Sequence, residues 1–220
     1  MKKTIFISLA LSSLFSTAFS QNDSINELEY ENIIVPIDSS ELNKKFKAGF
    51  SLGFNQSLLQ TEPLPPGTII ENKIGFRVGV IGSYKVNDLF SIHSNLGISV
   101  NRNEFIFANT DTNEIILDYF PMPLTVDFSV HAKFTSQNTN YKPFFSIGPS
   151  IQIPVTNNNQ SELVSNYNLC FDFAVGFEKS LEFFTFFPEL RYSHGLVDIN
   201  KNPNFGKIRM HTVSLILNFN

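Results

Sequence analysis

Cysteine and long apolar runs are both scarce in this sequence. Cys170 is the single cysteine among 220 residues, so no disulfide can form within the chain. It lies inside a predicted strand, where we interpret it as a small core or lumen-facing side chain. Beyond the first 20 residues no segment approaches the roughly 18 consecutive apolar residues that a transmembrane helix needs. The sequence therefore excludes a helical membrane protein.

Basic residues are outnumbered, with 16 Lys and Arg against 20 Asp and Glu. Removing residues 1–20 would take away two basic residues and no acidic ones, leaving a net charge of −6. Binding of nucleic acid through a basic surface is not supported by this balance.

The first residues have the pattern of a secretion signal. Lys2 and Lys3 precede an apolar core, and Ala18-Phe19-Ser20 follows it. Small residues three and one before the cut suit signal peptidase, so residues 1–20 are predicted to be a signal peptide cleaved after Ser20. No cysteine stands at the cut, so a lipid-anchored lipoprotein is not expected.

Residues 21–45 are acidic and poorly patterned, which predicts a flexible periplasmic extension. The short apolar run at 33–37 within it is either a docking segment for a partner or part of an unstructured linker.

From residue 46 onward, apolar and small or polar residues alternate. Eight stretches of roughly ten residues place Phe, Leu, Ile or Val at every second position. A period of two is that of a β-strand, and amphipathic strands of this length are typical of tilted membrane-spanning strands. The strands are predicted at about 46–55, 73–85, 90–101, 116–134, 143–155, 167–178 and 183–193, with the eighth after Gly206. We therefore predict an all-β fold, an eight-stranded antiparallel transmembrane β-barrel of the outer-membrane type, over residues 46–220.

The predicted connections alternate between long and short. Long loops are expected over 56–72, about 103–113, 156–166 and 195–206, and short turns at 86–89, 136–139 and 179–180. Extension of the third strand through Phe105, Ile106 and Phe107 is the alternative at the start of the second loop. Outer-membrane barrels have short periplasmic turns and long extracellular loops, so both termini are predicted in the periplasm of the cell outer membrane. Pro121 and Pro123 interrupt the fourth strand and predict a distortion there.

Five tyrosines fall at predicted strand ends, where an interfacial aromatic girdle is expected against the outer-membrane lipid. They are Tyr84 and Tyr141 at periplasmic ends and Tyr119, Tyr167 and Tyr192 at extracellular ends.

Charged residues collect on the inward face of the predicted strands. A soluble lipocalin-type barrel would instead hold its apolar face inside. Eight strands leave an interior just wide enough for side chains to fill, so these groups predict a packed polar network; a selective channel is the alternative. The predicted network consists of Arg77, Asp127, Asp172, Glu189 and Arg191, with His93 and His131 on the same face.

No enzyme, metal or cofactor motif is evident. His93, His131, His194 and His211 lack the spacing and adjacent carboxylates of a zinc site. A phosphate-binding glycine loop and a nucleophile elbow are likewise missing from the sequence. Ser193-His194 lies at a predicted strand end, where small membrane-barrel enzymes group their catalytic residues, and a rim-site enzyme is the distant alternative. We expect no enzyme activity and no cofactor.

The last strand ends in Leu215-Ile216-Leu217-Asn218-Phe219-Asn220. An alternating terminal strand with a final aromatic is the pattern that barrel-assembly machinery recognises, although here Asn220 follows the Phe. This machinery is therefore an expected partner during biogenesis.

Three motifs are notable within residues 46–220: Lys142-Pro143-Phe144-Phe145-Ser146-Ile147-Gly148, Phe187-Pro188-Glu189-Leu190-Arg191-Tyr192-Ser193-His194-Gly195-Leu196 and Phe120-Pro121-Met122-Pro123-Leu124. Through these motifs residues 46 to 220 resemble the PorT family of outer-membrane β-barrel proteins from the Bacteroidota. The resemblance implies a role in type IX protein secretion and no catalytic residues. Because eight strands are too few to pass folded cargo, it implies an accessory component; a structural or small-solute porin-like barrel is the alternative.

Overall fold

The computed structural model describes residues 45–62, 68–108, 115–119, 122–136, 140–155, 165–201 and 206–220. The predicted signal peptide and, apart from Lys45, the predicted acidic extension lie outside these residues. No helix in the described ranges is long and apolar enough to cross a membrane.

The alternating sequence forms nine β-strands in the described residues, each antiparallel to its neighbours. They are β1 (Phe46–Glu62), β2 (Thr68–Lys85), β3 (Phe90–Ala108), β4 (Ile115–Tyr119), β5 (Leu124–Thr135), β6 (Lys142–Pro154), β7 (Asn168–Ser180), β8 (Thr185–Gly195) and β9 (Lys207–Phe219). β1 pairs with both β2 and β9, and β2 also pairs with β3, which closes the sheet. Because β4 and β5 pair with different parts of β3, they share one position in the wall. The predicted closed eight-stranded barrel is confirmed.

The first strands are longer than their alternation predicts. β1 continues its ladder with β9 as far as Glu62, and β2 begins at Thr68, so the loop predicted over 56–72 is reduced to 63–67. β3 likewise runs to Ala108, into the loop predicted from 103. Backbone hydrogen bonds between strands form wherever a partner strand is present. The strands therefore remain paired beyond the residues whose side chains alternate between apolar and polar.

The predicted distortion of the fourth strand is confirmed. β4 ends at Tyr119 and β5 begins at Leu124. Between them Met122 has a φ of 51°, which turns the chain inward and buries its side chain. The Asn101 side chain secures this inward turn by donating to the Met122 carbonyl at 3.1 Å, and the Asn101 N–H donates to the Pro123 carbonyl at 2.8 Å.

The turn predicted at 179–180 is wrong by two residues. Ser180 still pairs with Thr185, and the chain reverses at 181–184, where the Leu181 N–H donates to the Phe184 carbonyl at 2.8 Å. The turn predicted at 86–89 is confirmed, and the Asn87 side chain caps it by accepting the N–H groups of Leu89 and Phe90.

The two ends of the barrel differ in their connections. We call the end with the connections 86–89, 136–141 and 181–184, together with Lys45 and Asn220, the turn end. The opposite end is called the loop end.

The barrel wall is apolar outside and polar inside. Phe54, Ile74 and Val80 are 62%, 64% and 60% exposed, whereas Ser51 and Arg77 are buried in the lumen. Such an outer face requires lipid, because exposed apolar side chains of this density are unfavourable in water. The soluble lipocalin-type alternative is therefore excluded.

Candidate functional site in the barrel lumen

The centre of the lumen holds a buried ionic cluster. Arg191 and Glu189 stand two residues apart on the inward face of β8 and form an ion pair through Nη2 and Oε1. Arg191 Nη1 also lies 3.7 Å from Asp172 Oδ2 on β7. All three side chains are at most 5% exposed.

Asp172 connects this ion pair to two further strands. Its Oδ1 accepts a hydrogen bond of 2.7 Å from Ser150 Oγ on β6. Its Oδ2 lies 2.9 Å from His131 Nε2 on β5, so the carboxylate accepts the ring N–H. Asp172 thus ties four consecutive strands of the wall together across the lumen.

Arg77 and Asp127, which complete the predicted network, have neutral partners instead of each other. Arg77 Nη2 donates to Asn95 at 2.9 Å, and no described carboxylate lies within ion-pairing distance of it. The Asp127 carboxylate accepts hydrogen bonds from the hydroxyl groups of Ser99 and Thr125. The bond from Thr125 is 2.8 Å long. The structure therefore places these two residues in the lumen but in separate hydrogen-bond groups.

An apolar cluster closes the lumen on the turn-end side of the ionic centre. Ile81, Phe144 and Phe187 pack together there, with the two phenylalanine rings edge to face at 6.2 Å. These three residues occupy inward positions, where the alternation of apolar and polar residues along each strand predicts polar side chains.

Lys133 sits on this apolar cluster and is 2% exposed. Its Nζ lies 4.1 Å from the centre of the Phe144 ring and 4.2 Å from that of Phe187, and it donates to Glu178 Oε2 at 2.8 Å. Two aromatic faces and one carboxylate therefore compensate the ammonium group for its lost water.

A second apolar cluster closes the lumen at the loop end. Its core residues are Leu59, Met122, Ile199, Ile208 and Met210, with Ile70 and Val197 packed against them. Met122 reaches this position because the break between β4 and β5 turns it inward. The ionic centre is thus enclosed between apolar layers on both sides.

Little space remains between the turn-end cluster and the ionic centre. A cavity of about 10 Å³ lies there, bordered by Ile81, Asn95, His131 and Arg191. This is about the smallest volume that holds one water molecule. The section of the lumen that the structure describes is filled by side chains rather than open.

The turn end opens into a wider cavity of about 310 Å³, which we call the basic mouth. Five lysines and two acidic residues line it: Lys45, Lys47, Lys85, Lys133, Lys142, Asp88 and Glu178. Lys85 binds Asp88 at 2.6 Å, and this hydrogen bond and the lysine charge hold the pKa of Asp88 below its usual value. Lys47 donates to the neutral hydroxyl of Thr185 at 3.0 Å.

The tyrosines of the predicted girdle are exposed on the outer wall wherever their side chains are described. Tyr84 and Tyr141 lie at the turn end, and Tyr167 and Tyr192 lie towards the loop end. Tyr119 belongs to β4, whose side chains are not among those described. Contact of these rings with the lipid interface stays a prediction.

The remaining sequence candidates do not assemble a catalytic group. Ser193 points into the lumen and His194 points outward, because neighbouring residues of a strand face opposite sides. His194 instead lies beside His211, with ring centres 4.7 Å apart and the rings tilted by 35°. Cys170 is buried, with its Sγ 4.0 Å from Gln152 Oε1. In the described ranges, no three His, Cys, Asp or Glu residues are grouped as metal ligands.

The apolar clusters and Lys133 were not predicted from the sequence. For the turn-end cluster a signal exists, since adjacent apolar residues interrupt the alternation at Val80-Ile81, Phe144-Phe145 and Phe186-Phe187. In each pair one member faces outward, and the other, Ile81, Phe144 or Phe187, enters the lumen.

A closed barrel with a lipid-compatible wall and a packed lumen defines the class of outer-membrane β-barrel proteins. Residues 19–201 match the model of the outer membrane protein beta-barrel domain family, and the chain belongs to that family. Its location is the outer membrane. No curated protein has a sequence that matches this chain.

The chain is similar to solved structures of other bacterial proteins. The chain is similar to Neisserial surface protein A (NspA), with a TM-score of 0.50 and 11% identity, over 79% of this chain and 97% of NspA. Ail, the attachment invasion locus protein of Yersinia pestis, has a TM-score of 0.39 at 12% identity, over 80% of this chain and 97% of Ail. The N-terminal β-barrel domain of Pseudomonas aeruginosa OprF has a TM-score of 0.36 at 12% identity, over 79% and 100% of the two chains. At such identities the likeness to NspA shows the fold alone.

Proposed function

We propose that this protein is a non-conducting outer-membrane barrel that serves as an accessory component of type IX protein secretion. The layered lumen supports the proposal that the barrel does not conduct. Its apolar clusters enclose the ionic centre of Asp172, Glu189 and Arg191. A barrel filled in this way offers no path for cargo, so its contribution to secretion is that of a scaffold or partner-binding subunit.

The secretion role is supported by the PorT-like motifs, which coincide with the lumen structure. The motif that begins at Phe187 supplies one ring of the turn-end cluster and both members of the Glu189–Arg191 ion pair. The motif that begins at Lys142 supplies Phe144, the other ring. The motifs that carry the resemblance thus contribute several of the side chains that fill the barrel.

We place the turn end, and with it both termini, in the periplasm. Short connections at that end support this orientation, because outer-membrane barrels have short periplasmic turns. In intact cells, thiol labelling of Pro65→Cys or Gln160→Cys in a Cys170→Ser background should succeed, and labelling of Ser180→Cys should fail. The reverse pattern would invert the orientation.

We also propose barrel-assembly machinery as the partner during membrane insertion. Phe219 stacks on Phe50 with ring centres 4.8 Å apart, where β9 meets β1 and closes the barrel. Asn220, the departure from the usual terminal aromatic, extends the pairing with β8 through its N–H, which donates to the Thr185 carbonyl at 3.0 Å.

Deletion of the gene tests the secretion role directly. We expect the export of type IX cargo to fail and to be restored by the intact gene, with outer-membrane integrity measured in parallel. Normal export in the deletion strain would refute the role.

A second assay tests the alternative of a small-solute porin. The purified barrel in planar bilayers should be silent, and liposomes that contain it should not swell in small sugars. Reproducible conductance together with normal cargo export would favour the porin alternative.

A further inference from the structure

The basic mouth has more lysines than its own carboxyl side chains can pair with. Asp88 is bound to Lys85, and Glu178 is bound to Lys133. The other three lysines of the mouth form no ion pair with a carboxylate among the described residues; they are Lys45, Lys47 and Lys142. An excess of positive charge therefore surrounds a space of about 310 Å³.

These three lysines stand on opposite walls of the barrel. Lys47 lies on β1 and Lys142 lies on β6, and three strand positions separate β1 from β6 in either direction around the wall. Neighbouring strands are about 4.8 Å apart, so the two backbone positions are roughly 19 Å apart along the wall. Lys45 directly precedes β1 and adds a second cation on the Lys47 side. A ligand that contacts all three lysines must carry several negative charges spaced along its length.

The two ion pairs already present in the mouth indicate the kind of anion that suits it. Lys85 Nζ binds the Asp88 carboxylate at 2.6 Å, and Lys133 Nζ binds the Glu178 carboxylate at 2.8 Å. Each ammonium group thus pairs with one carboxylate. Arginine, whose planar fork binds phosphate groups through two hydrogen bonds, is missing from the described residues that line the mouth. Single carboxylates spaced along a peptide therefore match the lysines of the mouth.

Uncharged groups between the lysines complement a peptide backbone. Ser83, Ser91, Thr135 and Ser180 line the mouth, and each hydroxyl can both donate and accept a hydrogen bond. A concave site also focuses the potential of its charges more than a flat surface does. A volume of about 310 Å³ is near the lower limit of sites that enclose a ligand, so it accepts a short stretch of extended chain.

We propose that the basic mouth binds an acidic segment of a second protein, whose carboxylates pair with Lys45, Lys47 and Lys142. The segment enters along the barrel axis from the aqueous side, because the outer wall of the barrel faces lipid. This binding depends on neither the type IX role nor the orientation of the barrel. The orientation decides only which side of the membrane supplies the partner.

The test measures binding of a defined peptide to the full chain, folded in zwitterionic detergent micelles that carry no net charge. The probe is a short fluorescent peptide in which Glu and Ser alternate, and its matched control alternates Gln and Ser. Fluorescence anisotropy should show binding of the Glu peptide at low ionic strength and no binding of the Gln peptide. Salt at about 0.5 M should abolish the binding, because it shortens the Debye length to less than 5 Å.

Two double variants assign the binding to the mouth. Lys47→Gln/Lys142→Gln removes two of its unpaired lysines and leaves no carboxylate without a partner, and it should weaken binding about fivefold. Lys201→Gln/Lys207→Gln removes the same charge from exposed lysines at the loop end and should leave binding unchanged. Gel mobility with and without heating checks that each variant is folded.

Cross-linking of the parent chain gives a second readout that needs no variant. A carbodiimide joins a carboxylate directly to a lysine that contacts it, with loss of water. Mass spectrometry of the cross-linked complex should find the Glu peptide attached to Lys45, Lys47 or Lys142, and not to Lys201 or Lys207.

Three results would overturn the proposal. The first is that the Glu peptide does not bind the parent chain at low ionic strength. The second is that both double variants weaken binding equally, or that cross-links fall on lysines outside the mouth, since the attraction would then come from the whole surface. The third is that short polyphosphate of equal charge displaces the peptide at much lower concentration and depends on the same two lysines. The mouth would then be a phosphate site, and its assignment to an acidic protein segment would fail.

Discussion

Lys133 Nζ lies 2.8 Å from Glu178 Oε2 and 4.1 Å from the centre of the Phe144 ring. One lysine therefore forms both the floor of the basic mouth and the cover of the turn-end apolar cluster. Because these three residues lie on β5, β6 and β7, their contacts hold three neighbouring wall strands together. Lys133 and Glu178 also belong to the charged lining of the basic mouth.

Glu178→Gln should destabilise the barrel, because it removes the only carboxylate that the structure places within hydrogen-bond distance of the buried Lys133 among the described residues. The Glu178 side chain is 23% exposed, so we expect a loss of about 1–3 kcal/mol rather than the larger cost of a fully buried pair. Urea unfolding in lipid vesicles measures this loss. Glu182→Gln, an exposed glutamate at the same end, is the control and should be close to neutral.

Arg191→Met should be more costly, since it leaves Glu189 and Asp172 in the lumen without their shared cation. Removing one partner of a buried ionic group costs about 3–5 kcal/mol. Adding Glu189→Gln should recover part of that loss, and the double-mutant cycle gives the coupling energy. Arg209→Met, on an exposed side chain, serves as the control. Equal stability of Arg191→Met and its parent would show that the ionic centre does not stabilise the barrel.

Gly148→Ala should disturb the pairing of β5 with β6. A Cβ at Gly148 would lie 2.0 Å from the Val130 carbonyl oxygen, which is backbone and cannot move alone. We expect a loss of about 1–3 kcal/mol, as for other overpacked sites. At Gly82 the nearest atom to an added Cβ is the Ser94 hydroxyl at 3.1 Å, so Gly82→Ala should be tolerated. Equal losses at both positions, measured by unfolding in vesicles, would contradict the steric explanation.

Phe144→Ala/Phe187→Ala should remain silent in planar bilayers even though it removes the turn-end cluster. The ionic centre and the loop-end cluster still fill the lumen beneath it. The parent barrel is the control, and gel mobility with and without heating checks that the variant is folded. Current through the folded variant would mean that the two phenylalanines alone close the barrel.

The carboxyl of Asp88, in the connection 86–89 at the turn end, is expected to make the stability of the barrel depend on pH. The Lys85 side chain holds the pKa of the Asp88 carboxyl below its usual value through a hydrogen bond and its charge. A lowered folded-state pKa contributes stability above the unfolded value of about 3.9, and that contribution is lost as the pH falls through the folded-state pKa. Titration by NMR should show the low pKa, and Lys85→Gln should return the pKa of Asp88 towards its usual value. An unchanged pKa in Lys85→Gln would exclude the ion pair as its cause.

The sequence predicted the elements of the barrel better than their lengths. The outward positions of Phe54 and Val80 follow from alternation alone, and the strand break follows from Pro121 and Pro123. The extension of β1 to Glu62 could not be predicted in this way, because it depends on pairing with β9 at the other end of the chain.

The contacts of the lumen side chains could not be predicted from the sequence. Arg77 and Arg191 both lie in the lumen, yet Arg191 binds two carboxylates and Arg77 binds an amide. The level of each side chain along the barrel axis depends on the strand register, which sequence parity does not specify.

By itself the sequence determined a membrane barrel of eight strands and the face that each residue takes, because a period of two is a local property of the chain. Only the tertiary structure decided that the lumen is layered, with His131 and Asp172 in contact although they are 41 positions apart in the sequence. Strand pairing and closure bring such side chains to one level, and packing within a narrow barrel then fills the lumen. The same closure gathers the lysines of separate strands around one mouth.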